Sequence, residues 1–325
     1  ASAVAAPALA PGAGGPGAGR VAQALPPLPA RGRVAHGQVA PPQGPGAPRQ
    51  VAQAAFNQAF ADDARDIQQA AEYADGIYAG FFQEEAAGRP RADYMLQVQV
   101  HINGRMRAIL VDWLVEVHLN YRLRRETLYL AVNVIDRYLS VRMVLRRNLQ
   151  LLGVTALFIV SKYEEINPPK ASEFAHNTDN TYTTQEIFDM ECEVLNALGF
   201  RLVVPTQAHF KDRLERVNAC DAQHRRIVDY ILELALVEYR MLGYAPSMLV
   251  SAAIYLSNAL VVQRRPLWSA AMAHHSRYQV ADLRPCAEEL RTIVLAAPEQ
   301  NLQAVCRKFQ HGPNAVVIRR RDIPL

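Results

Sequence analysis

Long apolar runs are missing from this chain. Half of its 325 residues are apolar, yet no run approaches the roughly 18 needed for a membrane-spanning helix, so a membrane is not an expected partner. Cysteine is scarce. Cys192, Cys220, Cys286 and Cys306 are scattered without a C-x-x-C pair, which excludes a disulfide framework or clustered zinc site and predicts reduced thiols. His274-His275 has no neighbouring ligands at metal spacing, so no metal is expected. Catalytic signatures are absent too: there is no G-x-S-x-G, P-loop, H-E-x-x-H, or G-x-G-x-x-G after a strand. Asp112 and Glu116, or Glu164 and Glu165, read as solvated or ion-paired carboxylates on helices. Neither an enzyme nor a cofactor is expected.

The N-terminal region is defined by further absences. No acidic residue precedes Asp62, no lysine precedes Lys162, and Ser2 is the only Ser or Thr before Thr127. The first fifty residues hold 14 Ala, 10 Pro and 9 Gly. Such a segment cannot bury enough surface to offset its ordering entropy, so residues 1–58 are predicted to be disordered. It lacks the charged n-region and apolar core of a secretory signal. Its only charges are Arg20, Arg31, Arg33 and Arg49. The whole chain is +4, so the remainder balances its cations against 31 acids. A neutral folded part argues against nucleic acid as a partner.

What is present is helix. Periodicity predicts segments at about Asp62–Glu85, Gly104–Leu119, Glu126–Val141, Leu149–Glu164 and Ala171–Asn177. Gly76 and Gly80 interrupt the first, at roughly 1 kcal/mol each relative to Ala. Leu149–Glu164 is apolar nearly all round and should be central, with Gly153 and Ala156 allowing close approach. Thr183-x-x-Glu186 is a capping box opening the next helix, and Gly199 is a natural C′ residue closing it. A second set follows at about Thr206–Val217, Ala222–Leu242, Pro246–Val261, Pro266–His274, Val280–Leu295 and Gln300–Phe309. Only Ala315–Ile318 could be a strand, so the fold class is all-α, with divisions at 1–58, 59–203 and 204–325.

Met106 to His118 carries more apolar surface than an amphipathic helix needs. At about 100° per residue, Met106, Ile109, Leu110, Trp113 and Val117 form one stripe; Ala108, Val111 and Val115 lie opposite. Such a helix is central in a core or offers one side to a partner. Here the Ala108, Val111 and Val115 side, with Leu114, is expected to face the core.

The order Met106-Arg107-Ala108-Ile109-Leu110-Val111-Asp112-Trp113-Leu114-Val115-Glu116-Val117-His118 resembles the signature first helix of the cyclin box. Glu126-Thr127-Leu128-Tyr129-Leu130, Ile135-Asp136-Arg137-Tyr138-Leu139-Ser140, Leu149-Gln150-Leu151-Leu152-Gly153, Ser161-Lys162-Tyr163-Glu164-Glu165-Ile166 and Thr178-Asp179-Asn180-Thr181-Tyr182-Thr183 agree in order and spacing. The likeness runs from about Glu72 to the C-terminus and is similar to mitotic B-type cyclins. It implies two tandem five-helix boxes preceded by a helix, and a regulatory subunit that binds and activates a cyclin-dependent protein kinase at G2/M. Lys162 and Glu191 match the pair that meets the kinase backbone, with Tyr163, Ile166, Leu195 and Phe200 on the same face. Met106, Ile109, Leu110, Trp113, Glu116, Leu149 and Gln150 match the groove for R-x-L motifs of substrates or inhibitors. Arg107 and Asp136 match an internal ion pair.

The resemblance also implies residence in the nucleus and cytoplasm. The tail's nearest approach to a destruction box, Arg31-Gly32-Arg33-Val34, has Val in place of Leu, so resistance to destruction-box-dependent degradation is expected. The alternative is a cyclin-fold transcription protein, either a transcriptional cyclin or a TFIIB-like factor. The latter would want a zinc ribbon and a basic second repeat, and this chain has neither.

Overall fold

The structure, a computed structural model, describes residues 72–261, 267–310 and residue 316. The predicted tail at 1–58, the near-match at 31–34, the first part of the opening helix and most of the 315–318 segment lie outside those residues. Within them the chain forms thirteen α-helices and no strand. Val316, the one described residue of the suggested strand, donates its N–H to the Phe309 carbonyl at 3.0 Å.

Helix α1 (Ala74–Glu84) packs on the second core through Tyr78, Phe81 and Phe82; the first bundle comprises a short α2 (Tyr94–Gln97), α3 (Gly104–Asn120), α4 (Arg125–Leu139), α5 (Leu149–Glu164), α6 (Ala171–Asn177) and α7 (Thr184–Ala197). Local signals set most of these bounds. Asn103 caps α3 by accepting from Met106 N at 3.0 Å. Thr183 and Glu186 form the reciprocal capping box of α7, with bonds of 3.2 and 2.8 Å. Gly199, at φ +59°, follows the end of α7. Helix α1 runs through both Gly76 and Gly80.

The second bundle comprises α8 (Gln207–Val217), α9 (Ala222–Val237), α10 (Pro246–Val261), α11 (Ala270–Ser276), α12 (Val280–Ala296) and α13 (Ala304–Gln310). Three expected bounds differ. The segment expected to run on to Leu242 breaks at Glu238 and resumes as a 3-10 turn over Tyr239–Gly243. The carbonyls of Leu236 and Val237 instead accept from Arg107 Nη1 at 2.9 and 3.2 Å, so a distant guanidinium replaces the next turn's amides. Helix α11 starts late because Ser269 caps it, accepting from Met272 N at 3.2 Å. A 3-10 turn at Ala297–Glu299 likewise delays α13 to Ala304.

Helix α5 is the axis of the first bundle, buried from Leu151 to Ser161. A Cβ on Gly153 would stand 2.6 Å from Leu110 Cδ1, so α3 meets α5 at a separation that glycine permits. Helix α3 is not half-open, as its pattern suggested. Leu110, Trp113, Leu114 and Val117 pack into the first core, while Val111 and Val115 join a second core with α9, α10 and α12. The expectation that one apolar stripe stays free is therefore corrected. The second bundle takes the Val111 and Val115 side, and Leu110, Trp113 and Val117 of the other stripe are buried, leaving only Met106 and Ile109 half-buried at its edge.

At the seam, Arg107 is 1 % exposed and grips Asp136 bidentately, with Nε–Oδ1 2.6 Å and Nη2–Oδ2 2.7 Å. Tyr94 donates its hydroxyl to Asp136 Oδ1 at 2.8 Å. Burial and then the Asp136 charge push the Tyr94 phenol well above its ordinary range. The pair thus joins α3 and α4 to the end of α9.

Candidate functional site

Two surfaces of the first bundle gather the residues singled out from sequence. The first lies where the C-terminal ends of α5 and α7 meet. Lys162, in the last turn of α5, pairs with Glu191 of α7 at 2.5 Å; the lysine side chain is 42 % exposed, the glutamate more covered. The Lys162 ammonium also stands 4.1 Å from the centroid of the Phe158 ring, a cation–π contact that fixes its direction.

Around this pair the surface is apolar and open. Tyr163 is exposed, Phe200 is 67 % exposed and Ile166 is 94 % exposed, while Leu195 is half-buried. Helix α5 stops at Glu165, where the backbone turns extended and carries Ile166 outward. Glu165 itself accepts from Arg124 N at 2.7 Å and Thr127 Oγ1 at 2.5 Å, so it caps α4. Phe200 adopts φ +58°, directly after Gly199, and its N–H bonds the Leu195 carbonyl at 2.9 Å. A left-handed Phe costs about 1–2 kcal/mol, held here by the turn closing α7. Contiguous exposed apolar groups of this kind mark interaction surfaces.

Phe188 belongs to the same patch and was missed. It is exposed, three residues before Glu191, with its ring 6.0 Å from that of Phe158. Its signal lay in the spacing Phe188, Glu191, Leu195 along one helix face.

The second surface is the exposed edge of α3 and the start of α5. Leu110, Trp113 and Leu149 are buried; Met106, Ile109 and Gln150 are half-buried. The seven groove residues are therefore not an open stripe. Met106, Ile109 and Gln150 reach the surface over a floor of Leu110, Trp113 and Leu149, because that stripe also packs on α5. The Trp113 indole Nε1, buried here, has no hydrogen-bond partner among the described residues. Glu116 is not waiting open either: it is paired with Arg307 of α13. Beside it, Asp112 Oδ1 accepts from Ala304 N at 3.0 Å, and burial raises the Asp112 carboxyl pKa. No group of three or more His, Cys, Asp or Glu placed to hold a metal occurs among the described residues.

Residues 76–203 match the family profile described as Cyclin, N-terminal domain, and residues 205–317 match Cyclin, C-terminal domain. The chain is 43% identical over 252 residues to cyclin-A1-1 of Arabidopsis thaliana, covering 76% of this chain and 55% of that one. It is 41% identical over 251 residues to the G2/mitotic-specific cyclin-B of Arbacia punctulata, covering 76% and 61%. With cyclin-A1-4 of Oryza sativa subsp. japonica it shares 39% over 266 residues, covering 80% and 74%. The chain thus spans little more than half the length of several curated relatives it matches. A viral cyclin from herpesvirus saimiri has the same fold, with TM-score 0.59, 17% identity, 67% of this chain and 97% of that chain.

Proposed function

The chain belongs to the cyclin family, and from that premise we propose that it is the regulatory, non-catalytic subunit of a cyclin-dependent protein kinase. The observation that carries this reading is the Lys162–Glu191 pair set within an exposed apolar patch. The apolar residues supply burial, and two opposite charges fix register and exclude wrong partners. Activation is a population shift. A kinase whose C helix is swung out lacks its Lys–Glu ion pair, and a protein that binds only the swung-in form draws the equilibrium over. Moving 1:99 to 99:1 takes about 5.5 kcal/mol of differential affinity, within reach of an interface of ordinary size.

The test reverses each charge, Lys162→Glu and Glu191→Lys, and measures histone-type kinase activity of the co-purified complex. Each single reversal is expected to lower activation at least about tenfold, since it leaves a desolvated group unpaired. Unchanged activity would sink this interface.

The α3 edge is the proposed dock for substrates or inhibitors bearing R-x-L motifs. Its apolar floor accepts the leucine, and the Trp113 N–H, without a partner among the described residues, offers a hydrogen bond to an extended backbone. The B-type reading, with action at G2/M, is supported by Glu116-Val117-His118, Ser161-Lys162-Tyr163-Glu164-Glu165, Tyr244-Ala245-Pro246-Ser247 and the 41% identity to a G2/mitotic-specific cyclin-B; residence in nucleus and cytoplasm is proposed with it. The 43% identity to cyclin-A1-1 favours a second reading, an A-type cyclin. Following complex-associated kinase activity through a synchronised cycle tests the G2/M assignment: activity confined to G2/M is expected, and activity throughout the cycle would sink it.

A further inference from the structure

The acidic flank of the α3 edge is occupied by the chain's own last described helix. Asp112 and Glu116 lie one turn apart on α3, and both are engaged by α13: Asp112 by the Ala304 amide, Glu116 by the Arg307 side chain. Helix α13 is not loosely laid there. Val305, Cys306 and Phe309 are buried in the second core, and Lys308 Nζ holds the buried Glu233 at 2.6 and 2.8 Å. Arg307 is thus delivered to Glu116 by buried neighbours, so the pair forms with much of its ordering cost already met by the fold.

Exposed arginines also neighbour the groove residues in the chain. Arg105 is exposed beside Met106, and Arg146 and Arg147 are exposed just ahead of Leu149 and Gln150. Of these arginines and Arg307, Arg307 alone is paired with a carboxylate of α3, Glu116. A cationic ligand entering this groove meets an anchor already neutralised by Arg307.

We infer that Arg307 stands in, from within the chain, for the arginine a docked R-x-L segment would bring, so the groove selects its ligand's apolar residues with little preference for arginine. This rests on the docking role proposed for the α3 edge. It names the ligand class as apolar peptides with no requirement at the arginine position, and it makes Arg307 a specificity-determining residue. A peptide arginine gains a carboxylate only when Arg307 is removed.

The test is fluorescence anisotropy of the full chain with two dye-labelled peptides, identical except for Arg-x-Leu or Gln-x-Leu. The unsubstituted chain is expected to bind both within about twofold. Arg307→Gln should prefer the arginine peptide by about fivefold, the size an exposed ion pair supports, with the glutamine peptide unchanged. Arg307→Lys should remain indifferent, because it keeps the competing charge. A chain that already prefers the arginine peptide about fivefold, or an Arg307→Gln form without preference, overturns the inference while leaving docking intact. Binding of neither peptide to any form, or binding that Ile109→Asp does not weaken, overturns the docking reading and this inference with it.

Discussion

The seam between the two bundles and the face at the ends of α5 and α7 hold the same kind of ion pair under opposite conditions. Arg107–Asp136 is sealed from water, bidentate, and surrounded by carbonyls and a tyrosine hydroxyl that satisfy its remaining groups. Lys162–Glu191 is a single contact, open to solvent on the lysine side, with exposed apolar neighbours. A sealed pair completed by its own chain has no capacity for a partner. An open pair ringed by apolar surface has little stability to offer but much to give a second protein. Burial and completion, rather than charge, separate the two.

The largest expected effect tests the sealed pair. Arg107→Ala should cost about 3–5 kcal/mol of unfolding free energy in urea titrations, because Asp136 is left buried and uncompensated. Arg107→Met combined with Asp136→Leu should cost less than either single change. If Arg107→Ala costs no more than Lys162→Ala, the comparison breaks.

Acidification gives the next effect. Burial, and then the Lys308 charge, lower the His118 pKa from 6.5 to about 4. The unfolded chain therefore binds a proton that the folded chain refuses. Stability holds above about pH 6.5 and falls as pH drops towards 4, by about 3 kcal/mol over that window. Thermal melts between those limits check this, and His118→Gln should flatten the slope.

Gly153→Val comes third. Its Cβ alone would overlap Leu110, so a loss of about 1–3 kcal/mol is expected in the same titrations. Smallest is Lys162→Ala, expected to change stability by less than about 0.5 kcal/mol. Kinase activation should nonetheless fall by about tenfold, and that divergence of the two readouts is what an open pair predicts.

Much of the fold was readable because its signals are local. The bounds of α5 and α6, the cap of α7 at Thr183 and Glu186, and the turn at Gly199 follow from residues within a few positions of each other. The break after Val237 was not readable, since it depends on Arg107 more than a hundred residues earlier. The candidate sites divide in the same way. Ile166 could be placed at the end of α5 from sequence order, but the approach of Glu191 to Lys162, and of Phe188 to Phe158, needs two helices to pack.

For Met106 to His118 the division is sharpest. Sequence by itself determined that this segment is a helix with two apolar sides, because periodicity along one helix is a property of neighbours. Only the tertiary structure decided that both sides pack, one largely on α5 with Met106 and Ile109 left at its edge, and one on the second bundle. It alone decided that Glu116 meets Arg307. No local pattern encodes which distant surface a stripe will meet; that follows from how two bundles bury their area together.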